Sequence, residues 1–141
     1  MPSRLFLAAA LFLALAAPAA AEEAAYQQVV KLFDGTENVV GETLAYPQTG
    51  PAHVTSLIVT MKPGEETGPH RHGVPTFGYI LEGQVTVDYG AKGTRTYRKG
   101  DGFMEAEAVT HNGVNDGTGP VRILVVFMGA EGAPPNVIHE R

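Results

Sequence analysis

The chain contains no cysteine among its 141 residues. This absence excludes disulfides, thiolate metal sites, a cysteine nucleophile and a lipid-modified cysteine behind a leader. Basic residues are also few, with 10 Lys and Arg against 15 Asp and Glu and no basic stripe, so nucleic acid and anionic membranes are not expected partners. Beyond residue 21 no apolar pattern reaches helix length. The chain as a whole is 44% hydrophobic, which is typical of one globular domain with its own core.

The first residues follow the three-part plan of a secretory signal peptide. Met1–Arg4 is a short basic lead, Leu5–Ala17 is an unbroken apolar run, and Ala19–Ala21 offers a small-residue cleavage site. The alternative is an uncleaved membrane anchor, but the run is shorter than the ~20 residues that span a bilayer. We predict cleavage after Ala21 and a mature chain, residues 22–141, that is periplasmic or secreted and has no membrane partner.

Short β-prone segments, closed by Gly, Pro or Asp-Gly turns, succeed one another along the mature chain. The strands predicted from them are Val29–Phe33, Val39–Tyr46, Val54–Met61, Thr76–Leu81, Gln84–Tyr89, Thr94–Arg98, Phe103–Glu105 and Val121–Met128. The last of these is the most apolar and is expected to be central. This spacing favours an all-β sandwich or barrel.

The histidines suggest a metal site. His70 and His72 are one residue apart, so on a strand they point to the same face. His111 follows a second turn about forty residues later, where an antiparallel barrel can bring it beside them. Three neutral imidazoles suit Zn, Fe, Ni, Cu or Mn and leave positions open for water or substrate. His53 and His139 lie outside this pattern and are interpreted as surface or structural residues.

The segment around the first two histidines resembles the first motif of the cupin family. That motif reads Gly, five residues, His-x-His, three or four residues, Glu, six residues, Gly. Here Gly64 is followed by His70 and His72, then by Thr76 in the glutamate position and by Gly83. The threonine is a departure from the family, because the glutamate usually supplies a fourth ligand.

The segment around the third histidine is similar to the second cupin motif. That motif reads Gly, five residues, Pro-x-Gly, two residues, His, three residues, Asn. Gly100, His111 and Asn115 match it, whereas Ala106 and Ala108 replace the proline and the glycine. Two motifs in register form a far more specific signal than one His-x-His pair.

The resemblance implies a double-stranded β-helix, also called a jelly-roll barrel, with a divalent metal held by His70, His72 and His111. The division expected along the chain is a signal peptide at 1–21, N-terminal strands and a loop at 22–50, a cupin barrel at 51–130 and an irregular C-terminal tail at 131–141. Such a protein is similar to the cupin dioxygenases that lack the glutamate.

The missing carboxylate has physical consequences. A divalent ion held by neutral ligands alone is a stronger Lewis acid and is bound less tightly. Thr76 is interpreted as an ordinary inward threonine, although a hydrogen bond to a metal-bound water is a further possibility. Glu105 or Glu107 could replace the carboxylate, and Glu105 is better placed, at a strand end. Gly78 is expected to leave room for a substrate.

Three functions remain open at this point. The first is an exported, metal-dependent enzyme, dioxygenase-like or acting through a metal-bound water with Glu105 as base, on a small organic molecule. The second is a non-catalytic module that binds a small molecule, and the third is an envelope protein with a structural metal. The oligomeric state is also open, and a homodimer could form through the outer face of Val121–Met128 or through the amino-terminal strand.

Overall fold

Nine short strands form the described part of the chain, residues 28–140 of a computed structural model. In chain order they are β1 (Ala52–Met61), β2 (His70–His72), β3 (Thr76–Glu82), β4 (Gln84–Asp88), β5 (Thr94–Arg98), β6 (Gly102–Met104), β7 (Asn112–Val114), β8 (Val121–Ala130) and β9 (Val137–His139). A single turn of 3-10 helix, Gly90–Lys92, joins β4 to β5. Within these residues no helix is long and apolar enough to cross a membrane.

The strands form two facing antiparallel layers. One layer has the order β1-β8-β3-β6. The other contains β5-β4-β7 and β2-β9, which are linked by bridges from Glu66 to Val114 and from His70 to His111. The prediction of an all-β jelly-roll barrel is confirmed, and β8 occupies the interior position expected for the most apolar strand.

The core lies between the layers because alternate side chains of each strand point inward. In β4, Val85 and Val87 are buried while Asp88 is exposed. They pack with Ile80 from β3 and Ile123 from β8 in one apolar cluster. The period-two pattern of the sequence thus decides which face of each strand borders the interior.

The predicted strands at Val29–Phe33 and Val39–Tyr46 are wrong. Residues 28–50 contain only an isolated bridge between Glu37 and Thr43. The cause in the second segment is the side chain of Asn38, whose Oδ1 accepts the backbone N–H groups of Val40 and Glu42, each at 3.1 Å. An Asn side chain that bonds to nearby backbone in this way favours a turn over a strand.

The C-terminal segment also differs from its prediction as an irregular tail. β9 pairs with β2 in the register His70–His139, Arg71–Ile138 and His72–Val137. The last described residues therefore border the predicted metal ligands. The signal peptide at 1–21 lies outside the described residues, and the boundaries of the predicted division stay a prediction.

Candidate metal centre

The three histidines singled out by the motifs lie together in the structure. His70 and His72 begin and end β2, and His111 immediately precedes β7. His70 and His111 are directly opposite each other, because each backbone N–H donates to the carbonyl of the other, at 3.0 and 2.8 Å. One ligand atom from each of the three residues lies within 4.8 Å of the others. Two neighbouring segments thus bring all three imidazoles to one point.

Each imidazole is held in the same tautomer. Every Nδ1 lies beside a backbone carbonyl: that of Gly68 at 2.8 Å for His70, that of Asn136 at 3.0 Å for His72 and that of Val109 at 2.9 Å for His111. A carbonyl oxygen only accepts, so each Nδ1 must carry the proton and donate it. In a neutral ring this leaves the Nε2 lone pair free, which is the form that binds a metal ion.

Burial keeps these rings neutral. It lowers the pKa of His72 to about 4, and the neighbouring imidazoles of His111 and His70 add to the effect. Burial also lowers the pKa values of His70 and His111. Near neutral pH all three rings can therefore offer a lone pair.

One of these lone pairs has no partner. Among the described residues, no group hydrogen-bonds to the buried Nε2 of His111, and an unsatisfied buried polar atom is costly in a folded protein. A bound cation would satisfy it. The donor set, its tautomers and this atom together fit a divalent metal ion, although they do not identify which one.

A carboxyl group stands beside the histidines. Glu105 follows β6 directly, and its Oε2 lies 3.7 Å from the Nε2 of His111, with the glutamate side chain only 16% exposed. The pKa of Glu105 is raised to about 7, because the effect of burial exceeds the opposing effect of the hydrogen bond from Tyr89. The Tyr89 hydroxyl donates to Oε2 at 3.3 Å and lies 3.1 Å from the hydroxyl of Tyr97.

The histidines and Glu105 line a cavity of about 320 Å³ between the two layers. This volume lies in the range of sites for small organic molecules. Most of its remaining wall is apolar, formed by Val59, Val85, Val87, Ile123, Val125 and Phe127. A larger groove of about 710 Å³ lies between residues 30–46 and the outside of the sheet, and none of the described residues that border it is a histidine or an acidic residue.

The expectation that Gly78 leaves room for a substrate is wrong. A Cβ atom at this position would lie 2.9 Å from the ring of Phe103. The two residues are directly opposite each other on β3 and β6, so the aromatic ring occupies the space that the glycine leaves. Phe103 in turn stacks on Tyr97, and Gly78 belongs to the core rather than to the cavity.

Neither Thr76 nor Glu107 lines the cavity beside the histidines. Thr76 is fully buried and its hydroxyl donates to the carbonyl of Val74 at 2.9 Å, as expected for an ordinary inward threonine. Glu107 is not among the residues that line the cavity, and its pKa is raised by burial and by the carboxylate of Glu42. Of the two glutamates that could replace the missing carboxylate, only Glu105 borders the cavity.

Two further residues of the site do not follow from the sequence pattern. His139, interpreted from the sequence as a surface or structural residue, is exposed as expected, but it also lines the cavity together with Val137, and its ring centroid is 6.2 Å from that of His70. Only the pairing of β9 with β2 brings it there. The motifs do not single out Tyr89, although it continues the inward alternation of Val85 and Val87. His53 is exposed on β1, as expected.

Comparisons with known proteins agree with this architecture. The family model described as Cupin domain matches residues 57–127. A structure of oxalate decarboxylase from Lactobacillus farciminis, in complex with formate, has a TM-score of 0.52 and 23% identity over 61% of this chain. The chain spans only 26% of that protein.

A second solved structure covers more of both molecules. The polyketide cyclase RemF from Streptomyces resistomycificus has a TM-score of 0.54 and 22% identity over 70% of this chain and 68% of its own. At such identities the likeness concerns the fold alone. No curated protein sequence matches the chain. The family model spans half of the chain and includes all three histidines, and the chain therefore belongs to the cupin domain family.

Proposed function

We propose that this protein is a metal-dependent, dioxygenase-like enzyme that acts on a small organic molecule. The observation that carries the proposal is the convergence of three imidazoles, each with its Nε2 lone pair free, on the wall of a cavity of about 320 Å³. His70, His72 and His111 are the residues that would hold the ion.

A bound divalent ion would supply Lewis acidity and, if it is iron, manganese or copper, redox reactivity toward dioxygen. Groups of the chain itself would orient the ligands and shape the cavity. The three carbonyls of Gly68, Val109 and Asn136 hold the imidazole protons and orient the rings. The valine-rich wall excludes water and selects a substrate with an apolar body.

A non-catalytic receptor for a small molecule is the second candidate, and the apolar wall is compatible with it. One feature favours the enzyme. A receptor that binds only through its apolar wall would gain nothing from three histidines and a carboxyl group converging on that wall, since burying such groups costs free energy that a bound metal ion would offset. Glu105 supplies that carboxyl group, with its pKa raised to about 7 by burial.

The proposal extends to where the protein works and how it assembles. The basic lead, apolar run and small-residue site of residues 1–21 support export to the periplasm or beyond, with cleavage after Ala21. An exposed apolar face on β1 supports a homodimer. The partner inside the cavity is a small molecule, and the acidic balance of the chain argues against nucleic acid.

Oxygen consumption tests this function. Metal-free mature protein is reloaded separately with Fe(II), Mn(II), Ni(II), Cu(II) or Zn(II), and oxygen uptake is followed with phenolic and diketone compounds. We expect uptake that requires both a redox-active metal and the organic compound, that is lost in His111→Ala and that persists in His53→Ala. Binding of these compounds without oxygen uptake would favour the receptor, and full activity in His111→Ala would contradict the site.

A further inference from the structure

A carboxylate lies directly after β6, opposite the position on β3 where the first cupin motif would place one. We propose that Glu105 is a fourth ligand of the metal ion and takes over the role of the carboxylate that Thr76 lacks. This inference rests on the metal site of the proposed function and adds to it a residue outside both histidine motifs.

The sheet register carries the first step of the argument. β3 and β6 are antiparallel with Phe77 opposite Met104, so Thr76 and Glu105 form the next pair, and the N–H of Glu105 donates to the carbonyl of Thr76 at 2.8 Å. Directly opposite residues point their side chains to the same face, with Cβ atoms about 5 Å apart. Glu105 therefore presents a carboxylate on the same face of the sheet as Thr76, one strand away.

Two atoms at the site face each other without a hydrogen bond between them. The carbonyl of Val109 accepts the Nδ1 proton of His111, so Nε2 presents a lone pair. The Oε2 atom of Glu105 faces it at 3.7 Å. That distance is too long for a hydrogen bond but close to the ~3.4 Å that separates two ligand atoms bound tetrahedrally to one zinc-sized ion. A cation between the two atoms satisfies both.

A third observation concerns the support of the carboxyl group. The hydroxyl of Tyr89 donates to Oε2 of Glu105, and Tyr89 is itself held against Tyr97. Tyr89 is almost completely buried, at 1% exposure, so this contact aims the carboxyl group from within the core. Groups that orient metal ligands from behind are a regular part of metal sites.

The competing role for Glu105, general base, fits the geometry less well. A base works on a substrate atom within hydrogen-bond reach, whereas Oε2 of Glu105 points at Nε2 of His111. As a ligand, Glu105 would neutralise one positive charge of the ion. The site would then bind a divalent metal more tightly, and with weaker Lewis acidity, than three imidazoles alone.

Cobalt(II) and zinc(II) titrations of the full mature protein test this assignment. Affinities are measured by competition with a chromophoric chelator, and the visible spectrum of the cobalt form reports the ligand set. We expect Glu105→Gln to weaken the binding of both metals by at least about tenfold, since losing even a group that only orients a ligand costs about 10–100-fold, and to change the cobalt spectrum. Glu107→Gln, two residues away and outside the cavity, should leave both unchanged. Tyr89→Phe should give a smaller loss with the wild-type spectrum.

The outcomes separate this inference from the function beneath it. If the wild type binds neither metal, the proposed function fails. If the wild type and Glu105→Gln bind equally, with the same cobalt spectrum, only the role of Glu105 is overturned. If Glu105→Gln does not fold, infrared difference spectra recorded before and after zinc loading of the Glu107→Gln variant replace that measurement. A shift of a buried carboxyl band on zinc loading supports the inference, and no shift contradicts it.

Discussion

At the scale of single residues, Glu42 has a position that its sequence neighbourhood does not suggest. Its carboxylate accepts the backbone N–H groups of Glu107, Ala108 and Val109 at 2.7, 3.0 and 3.1 Å. The carbonyl of Val109 in turn holds the Nδ1 proton of His111. Glu42 therefore fixes the loop in which alanines replace the proline and glycine of the second cupin motif.

Replacing Glu42 by Gln should destabilise the fold in a pH-dependent way. Burial alone would raise the pKa of Glu42, but the hydrogen bonds from Asn38 and the loop outweigh it and lower the pKa below its ordinary 4.5. The stabilisation is thus complete above that pH and is lost as the pH falls through the lowered pKa. We expect a loss of about 1–3 kcal/mol at pH 7, the scale of hydrogen bonds to a charged group.

Thermal or urea unfolding of the metal-free protein, followed from pH 7 to pH 3, measures this effect. The difference between the wild type and Glu42→Gln should shrink toward acid pH. Glu131→Gln, at an exposed carboxylate after β8, is the matched control and should show no such difference. A gap between the wild type and Glu42→Gln that stays constant down to pH 3 would refute the role of the carboxylate.

At the scale of elements, β9 supports the candidate metal centre from the C-terminal side. It pairs with β2 along all three residues of that strand, and the carbonyl of Asn136, just before β9, holds the Nδ1 proton of His72. The ion pair between Arg71 and Glu140, at 2.9 Å, joins the same two segments at the surface. Orientation of His72 thus depends on a segment 64 residues away.

A chain that ends at Ala133 should bind zinc(II) or cobalt(II) about 10–100-fold more weakly, as is typical when a ligand loses the group that orients it. Chelator competition gives the affinity, and circular dichroism shows whether the barrel is retained. Glu140→Gln, which removes the exposed ion pair but keeps β9, should bind like the wild type, since such pairs contribute at most about 1 kcal/mol. A folded, truncated chain with unchanged affinity would mean that β9 does not position His72.

Much of the fold can be predicted because its signals are local. Gln84–Tyr89 alternates polar and apolar residues, and Thr94–Arg98 is bounded by turn residues, so both strands are predicted to within one residue. Val121–Met128 is recognisable as central by its apolar run. The prediction for Val39–Tyr46 fails because the Asn38 side chain competes with strand pairing, and no pattern of period two records that competition.

The site is predictable only in part. The spacing of His70, His72 and His111 follows from two motifs, and the structure brings all three together. The contacts around them depend on residues far apart in sequence. Neither the approach of Glu105 to His111 nor the ring of Phe103 in the space beside Gly78 follows from local pattern, because each requires the register between two strands.

At the scale of the whole molecule, β1 leaves an apolar face uncovered. Within the described residues it pairs with β8 on one side only, and Val54 and Ile58, which point to the same face of the strand, are 60% and 50% exposed. An edge strand of this kind pairs readily with another chain unless it is protected by charge or Pro. These features favour a contact between two copies through β1.

Light scattering after size exclusion measures the assembly. We expect the mature protein to have the mass of a dimer and Ile58→Lys to have that of a monomer, because a charge on the face would have to be buried. Val29→Lys, at an equally apolar residue that is 74% exposed outside β1, should stay dimeric. If Val29→Lys is monomeric and Ile58→Lys is dimeric, the contact lies in the N-terminal segment instead of on β1. A monomeric wild type would exclude the dimer.

The metal content of the mature protein, isolated from its native compartment, tests the central claim most directly. If His70, His72 and His111 hold a divalent ion, elemental analysis should find about one equivalent per chain in the wild type, since a built site loads when the protein folds. His72→Ala should contain far less, and His53→Ala should equal the wild type. Well under one equivalent in the wild type, or the same content in His72→Ala, would contradict the account.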